Sequence, residues 1–190
     1  MGYRIVVMGV SLGGLRALQV VLGGLTRDLP LPIAVVQHRV IDSSLRLRST
    51  LQQFTAMRVR EPQDKETMRA GTVYVAPADY HLLVDDAAFA LSVDNPVNAA
   101  RPSIDVLFES AADCFGAGVI AVVLTGASCD GARGAARVKA EGGYLIVQDP
   151  ASAECAAMPR AALTAAKADA SLPLAEIASH LLALLGKVEP

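Results

Sequence analysis

Few local patterns leave a chain as little choice as the apolar run Ile5-Val6-Val7-Met8 followed by Gly9-Val10-Ser11-Leu12-Gly13-Gly14. Four consecutive apolar residues predict a strand buried on both faces, as in a parallel sheet. Apolar residues then recur at helical spacing, at Leu15, Leu18, Val21 and Leu22. The glycines between strand and helix permit a sharp turn, and Gly9 to Gly13 fits the pattern G-x-S-x-G. Such a turn presents a serine hydroxyl beside a helix N-terminus, whose free N–H groups suit a developing negative charge. Ser11 is therefore a candidate nucleophile. Read alone, it is also an ordinary phosphate ligand or cap.

The same alternation continues. Leu31 to Gln37 is a second buried strand with His38 at its carboxyl end, and Asp42 or Ser43 would cap a helix carrying Leu45, Leu51 and Phe54. A short strand is expected around Val59 and another over Gly71–Ala76. Leu82–Asp85 and Ala88–Val93, separated by an acidic turn, read as a hairpin on an antiparallel edge of the sheet. Ser103 opens a helix ending at Gly116, and Val119–Thr125 is the most strand-like run of the chain. It empties into Gly126-Ala127-Ser128-Cys129-Asp130-Gly131, a short helix, and a last strand, Tyr144–Gln148. Helices follow from Met158-Pro159 and over about Leu174–Leu185. The expected fold is α/β and doubly wound, a mostly parallel sheet with helices on both faces. With 190 residues it is expected to be one domain spanning 1–190.

Composition narrows the function. A net charge of −2 and 4% aromatic residues argue against nucleic acid as a partner. No apolar run reaches the roughly 18 residues of a membrane span, and three cysteines without metal-site spacing suit a reduced, cytoplasmic protein.

Three chemical groups are expected at the carboxyl ends of core strands, where ligands bind in open α/β sheets: Ser11, His38 and Asp130. A serine needs a base within reach, and the base needs a carboxylate to fix its tautomer. Among the three histidines, His180 lies in the final helix and His81 in the hairpin region, which leaves His38 best placed. Asp149, also after a strand, is the runner-up to Asp130. Cys129 is read as a packed side chain rather than a reactive thiol. The order Ser, His, Asp differs from that of α/β-hydrolases.

The ordered series Gly9-Val10-Ser11-Leu12-Gly13-Gly14, Gln37-His38, Ala76-Pro77 with His81, Arg101-Pro102-Ser103-Ile104-Asp105, Leu124-Thr125-Gly126 with Asp130-Gly131-Ala132, Gln148-Asp149 and Met158-Pro159-Arg160 resembles the catalytic domain of the CheB family, the chemotaxis receptor methylesterases. The resemblance covers nearly the whole chain. It implies a hydrolase of glutamate γ-methyl esters on chemoreceptor helices, often also a glutamine deamidase, with the triad on Ser11, His38 and Asp130. It further implies backbone oxyanion donors at Leu12 and Ala127 and no metal or organic cofactor. His81, Arg101 and Met158 are expected around a substrate groove. Two positions depart from the family pattern: Leu12 replaces a small hydroxyl residue, and Ala127-Ser128 replaces Met-Gly. Most members carry a receiver domain ahead of the catalytic one. Met1 here lies almost on the first strand, so regulation is absent, or a separate receiver or sensor protein supplies it, or the chain is a fragment. The rival readings are a hydrolase of small esters or amides, a phosphate- or nucleotide-binding module, and a member that binds signalling partners without turnover.

Overall fold

The computed structural model describes residues 2–38 and 44–186, the side chains of residues 44–46 not among them. Its first strand, β1 (Ile5–Val10), is wholly buried and leads through the glycine turn into α1 (Gly14–Gly23) and β2 (Ile33–Gln37). Then come α2 (Ser44–Gln52), β3 (Arg58–Arg60), β4 (Thr72–Val75), the hairpin strands β5 (His81–Asp85) and β6 (Ala88–Ser92), and α3 (Ile104–Phe115). The chain continues through β7 (Val119–Val123), α4 (Ala132–Ala140), β8 (Tyr144–Gln148), α5 (Ala157–Ala165), β9 (Ala170–Leu172) and α6 (Ile177–Leu184).

Seven strands form one sheet in the order β3-β4-β2-β1-β7-β8-β9, and every neighbouring pair is parallel. Side chains alternate along each central strand. Val6, Met8 and Val10 join Leu18, Leu22, Leu51, Ile177 and Leu181 in one core, beneath α1, α2 and α6. Ile5 and Val7 join Ile104, Leu107, Phe108, Val138 and Met158 in the other, beneath α3, α4 and α5. Both faces are covered, which is why these strands read as unbroken apolar runs.

The hairpin forms as expected, but β5 and β6 make a sheet of their own. Its apolar face is buried through Leu82, Val84 and Phe89 in the α3-side core, and the Phe89 and Tyr74 rings lie 4.7 Å apart. Burying that face outweighs extending the main sheet, whose outer position beside β4 is filled by β3. Strand β9 has no counterpart in the sequence reading, and α6 is preceded by a 3-10 turn at Leu174–Glu176. Phe54 is 47% exposed rather than packed inward, whereas Leu51 is fully buried. The caps expected at Asp42 or Ser43, and the Leu45 side chain, fall outside the described residues. Among the described residues no helix is long and apolar enough to cross a membrane.

The strand order reverses direction of travel at β1. On one side of β1 the sheet continues through β2, β4 and β3, and on the other β7 begins the march through β8 to β9. The carboxyl ends of β1 and β7 therefore flank the crevice where open α/β sheets place ligands.

Candidate active site

Ser11 stands immediately beyond β1 at that crevice. Its N–H donates to Thr125 O (2.9 Å), and the neighbouring His38 N–H donates to Val10 O (3.0 Å), so main-chain bonds fix serine and histidine side by side. Gly13 adopts a left-handed conformation (φ 76°) that lets helix α1 start abruptly at Gly14. Asp130 arrives from the loop between β7 and α4. His38 Nε2 lies 2.7 Å from Asp130 Oδ2, across 92 residues of sequence.

The aspartate has no exposed side-chain surface. Oδ1 accepts from Ser103 Oγ (2.8 Å), Asn98 Nδ2 (3.0 Å) and Asp105 N (3.1 Å); Oδ2 accepts from Ile104 N (2.7 Å) as well as His38. Two of these donors are first-turn amides of α3, so Asp130 acts as that helix's cap. Ser103, at the N-cap position, turns its hydroxyl to Asp130 and makes no side-chain cap bond itself. Burial pushes the Asp130 carboxyl up, but the bonds from His38, Ile104 N, Asn98 and Asp105 N outweigh it and hold the group down at about 2. An ionised carboxylate only accepts, so the ring proton sits on Nε2, and Nδ1 carries the lone pair a base requires.

Asp105 returns the favour to α4. Its Oδ1 accepts from Gly131 N (2.9 Å) and Gly134 N (2.7 Å), and Asn98 Nδ2 bridges the pair by donating to Asp105 Oδ2 (2.8 Å) as well as to Asp130. Burial raises the Asp105 carboxyl above its ordinary value, and the Asp130 charge adds to that. Each aspartate thus caps the helix of the other.

The amides of Leu12 and Ala127 have no protein acceptor among the described residues. Their directions are set from behind. In a trans peptide the N–H points opposite to the preceding carbonyl. Ser11 O is held by Gly14 N (2.9 Å) and Gln37 Nε2 (2.9 Å), and Gly126 O by Met158 N (3.0 Å). Thr125 ties the two loops together: Oγ1 is 2.9 Å from Leu12 O and accepts from Cys155 N at 2.9 Å. A Cβ on Gly126 would stand 1.9 Å from Met158 Sδ and 2.8 Å from Ser11 Cβ, so this position requires glycine.

Ser11 and His38 line one cleft of about 590 Å³ together with Leu12, Leu15, Arg16 and Glu154. Among the described residues no hydrogen bond joins Ser11 Oγ to the ring, and Nδ1 is the nitrogen left for it. Such bonds often tighten only when substrate is present.

The residues expected around a groove do not line this cleft. His81 is 1% exposed, with Nδ1 accepting from Ser103 N (3.2 Å) and Nε2 3.2 Å from Asn95 O. Arg101 is engaged by Asp79 Oδ1 and the carbonyls of Val93 and Asp94. Met158 is 1% exposed, a core residue beneath Gly126. Asp149 caps a 3-10 turn through Ala151 N, and His180 pairs with Tyr144 Oη at 3.0 Å, so neither is a partner of Ser11, His38 or Asp130. The roles of Gln37, Asn98 and Asp105 were not assigned from sequence, although Gln37 and Asp105 belong to the motifs quoted above. Among the described residues no cluster of His, Cys, Asp and Glu is placed to hold a metal.

A parallel α/β sheet that gathers a serine, a histidine and a buried carboxylate at its switch point has the constellation found in serine hydrolases of several unrelated folds. Comparison with known proteins narrows the class. Residues 6–181 match the family model for the CheB methylesterases, and the chain belongs to that family. A Leptospira interrogans relative is 42% identical over 97% of this chain and 96% of its own length. An Anaeromyxobacter dehalogenans protein-glutamate methylesterase/protein-glutamine glutaminase is 42% identical over 92% of this chain, which spans 51% of that protein. The crystal structure of the Thermotoga maritima CheB methylesterase catalytic domain superposes with a TM-score of 0.92 at 34% identity, covering 97% of this chain and all of that one.

Proposed function

We propose that this chain hydrolyses γ-methyl esters of glutamate side chains on the cytoplasmic helices of bacterial chemoreceptors, and γ-amides of glutamine at the same site, as a cytoplasmic enzyme. The observation that carries this reading is the 2.7 Å bond from His38 Nε2 to a carboxylate held ionised, on a histidine sharing its cleft with Ser11. His38 Nδ1 takes the Ser11 proton as Oγ attacks the ester carbonyl. The oxyanion is received by the N–H groups of Leu12 and Ala127, whose directions are fixed before substrate arrives. His38 returns the proton to the departing methoxide, releasing methanol; ammonia leaves when the substrate is an amide. Water, deprotonated by the same nitrogen, then hydrolyses the γ-glutamyl ester on Ser11. Asp130 stabilises the imidazolium throughout.

Membranes bearing methylated chemoreceptor provide the test. Methanol release by the wild type and none by Ser11→Ala is expected, with fluorophosphonate labelling lost in the same variant. Turnover of small methyl esters but not of receptor would replace this substrate with a small molecule. Saturable nucleotide binding without labelling would remove the hydrolase reading altogether.

A further inference from the structure

The structure assigns to Gln37 the role of positioning residue for both halves of the site, an inference that rests on the catalytic reading above. One nitrogen, Gln37 Nε2, donates to Ser11 O and to His38 O, each at 2.9 Å. The first bond fixes the peptide plane whose opposite end is the Leu12 N–H. The second holds the carbonyl of His38, whose own N–H is already tied to Val10 O at 3.0 Å. A single side chain therefore sets the distance between the peptide of the nucleophile and the residue of the base.

The other end of the same amide shows what this arrangement costs. Gln37 Oε1 is buried and has no hydrogen-bond partner among the described residues. Turning the amide over would bring Oε1 against two carbonyl oxygens and lose both bonds, so the unpaired oxygen is forced to the far side. There it faces Gly14, where a Cβ would stand 2.2 Å from it. A residue kept only to fill space would not leave a buried acceptor unsatisfied. Methionine fills the same volume without one. Local violations of this kind concentrate where function, rather than folding, dictates the side chain. Glutamate would fail for a different reason, since its carboxylate would oppose both carbonyls.

Gln37→Met separates positioning from packing. It keeps the shape, removes the donor and also removes the orphaned oxygen. Steady-state methanol release from methylated receptor is measured alongside fluorophosphonate labelling of Ser11 and the melting temperature. The expected result is a kcat lower by about ten- to a hundredfold, labelling slowed in parallel, KM unchanged, and a melting temperature equal to or above that of the wild type. Unchanged kcat and labelling would overturn the role of Gln37 while leaving the catalytic reading intact. Parallel losses of kcat and melting temperature would also overturn it, reducing Gln37 to a structural residue. A wild type that neither labels nor releases methanol would sink the catalytic reading and this inference with it. Should Gln37→Met fail to accumulate as folded protein, Gln37→Leu, which likewise lacks both the donor and the orphaned oxygen, carries the labelling measurement on the folded protein: a slowed rate is expected, and an unchanged rate overturns the role.

Discussion

A carboxylate with no exposed surface is normally driven toward its neutral form, yet Asp130 titrates at about 2 because five donors, two of them helix-end amides, converge on it. Its folded-state value lies below the unfolded value of 3.8, so the stabilisation is complete above 3.8 and disappears as pH falls through about 2. The shift is worth about 2 kcal/mol. In urea unfolding, the stability difference between wild type and Asp130→Asn should stay constant from neutral pH to about pH 4 and shrink by that amount toward pH 2. Asp105 has the opposite sign. Burial lifts its carboxyl, so its ionised form costs stability at neutral pH, and that cost is relieved as pH falls through the raised value. For turnover, Asp130→Asn should lower kcat by about 10⁴-fold through loss of the correct histidine tautomer, read as methanol release at saturating receptor. Ser11, His38 and Asp130 were legible because each ends or follows an apolar run, where strand ends meet. Asn98 was not, since its two partners lie 7 and 32 residues away and nothing local marks an asparagine as a bridge.

Helices α3 and α4 are joined twice over, by packing of Leu107 and Phe108 with Ala135 and Val138 and by exchange of their N-terminal acceptors. Asp105→Ala would leave the buried amides of Gly131 and Gly134 without a partner, at a cost of about 2–3 kcal/mol. Because Gly131 adjoins Asp130, the same change should weaken turnover as well as stability. Paired chemical denaturation and methanol-release assays would show both losses together, and normal activity in a destabilised Asp105→Ala protein would refute the linkage. On the facing loop, Gly126→Ala drives a methyl group toward Met158 Sδ and Ser11 Cβ, and turnover by the proposed mechanism should fall about a hundredfold through displacement of Ser11. Measuring the rate of fluorophosphonate labelling reports this directly. Element boundaries were readable where periodicity or punctuation was strong, as for β1, β7 and α3. Strand β9 was not, because Ala170-Ser171-Leu172 is too short to display a period and pairs only with β8. Nor does a hairpin sequence say which sheet it joins; that is decided by Tyr74 and α3, distant partners for its buried face.

Across the whole molecule, stability is graded from the centre of the sheet outward. Strands β1 and β7 are buried along their full length and paired on both sides, whereas β3 and β9 are three-residue edges. Hydrogen exchange should therefore release the amides of β3 and β9 first and those of β1 and β7 only on global unfolding. Fast exchange within β1 would contradict this ordering. The gradient places the serine and its loop on the most rigid part of the scaffold, and the histidine one strand away. The mutual capping of α3 and α4 has a last consequence, for how such a chain is disarmed. Ser11 can be silenced with little disturbance to architecture, since its hydroxyl supports nothing else among the described residues. Asp130 offers no such freedom: erasing it opens a helix terminus in the interior. A lineage of this fold that trades chemistry for scaffolding would therefore shed its hydroxyl and keep its carboxylate, so a surviving aspartate reports an intact body and only the serine reports a working one.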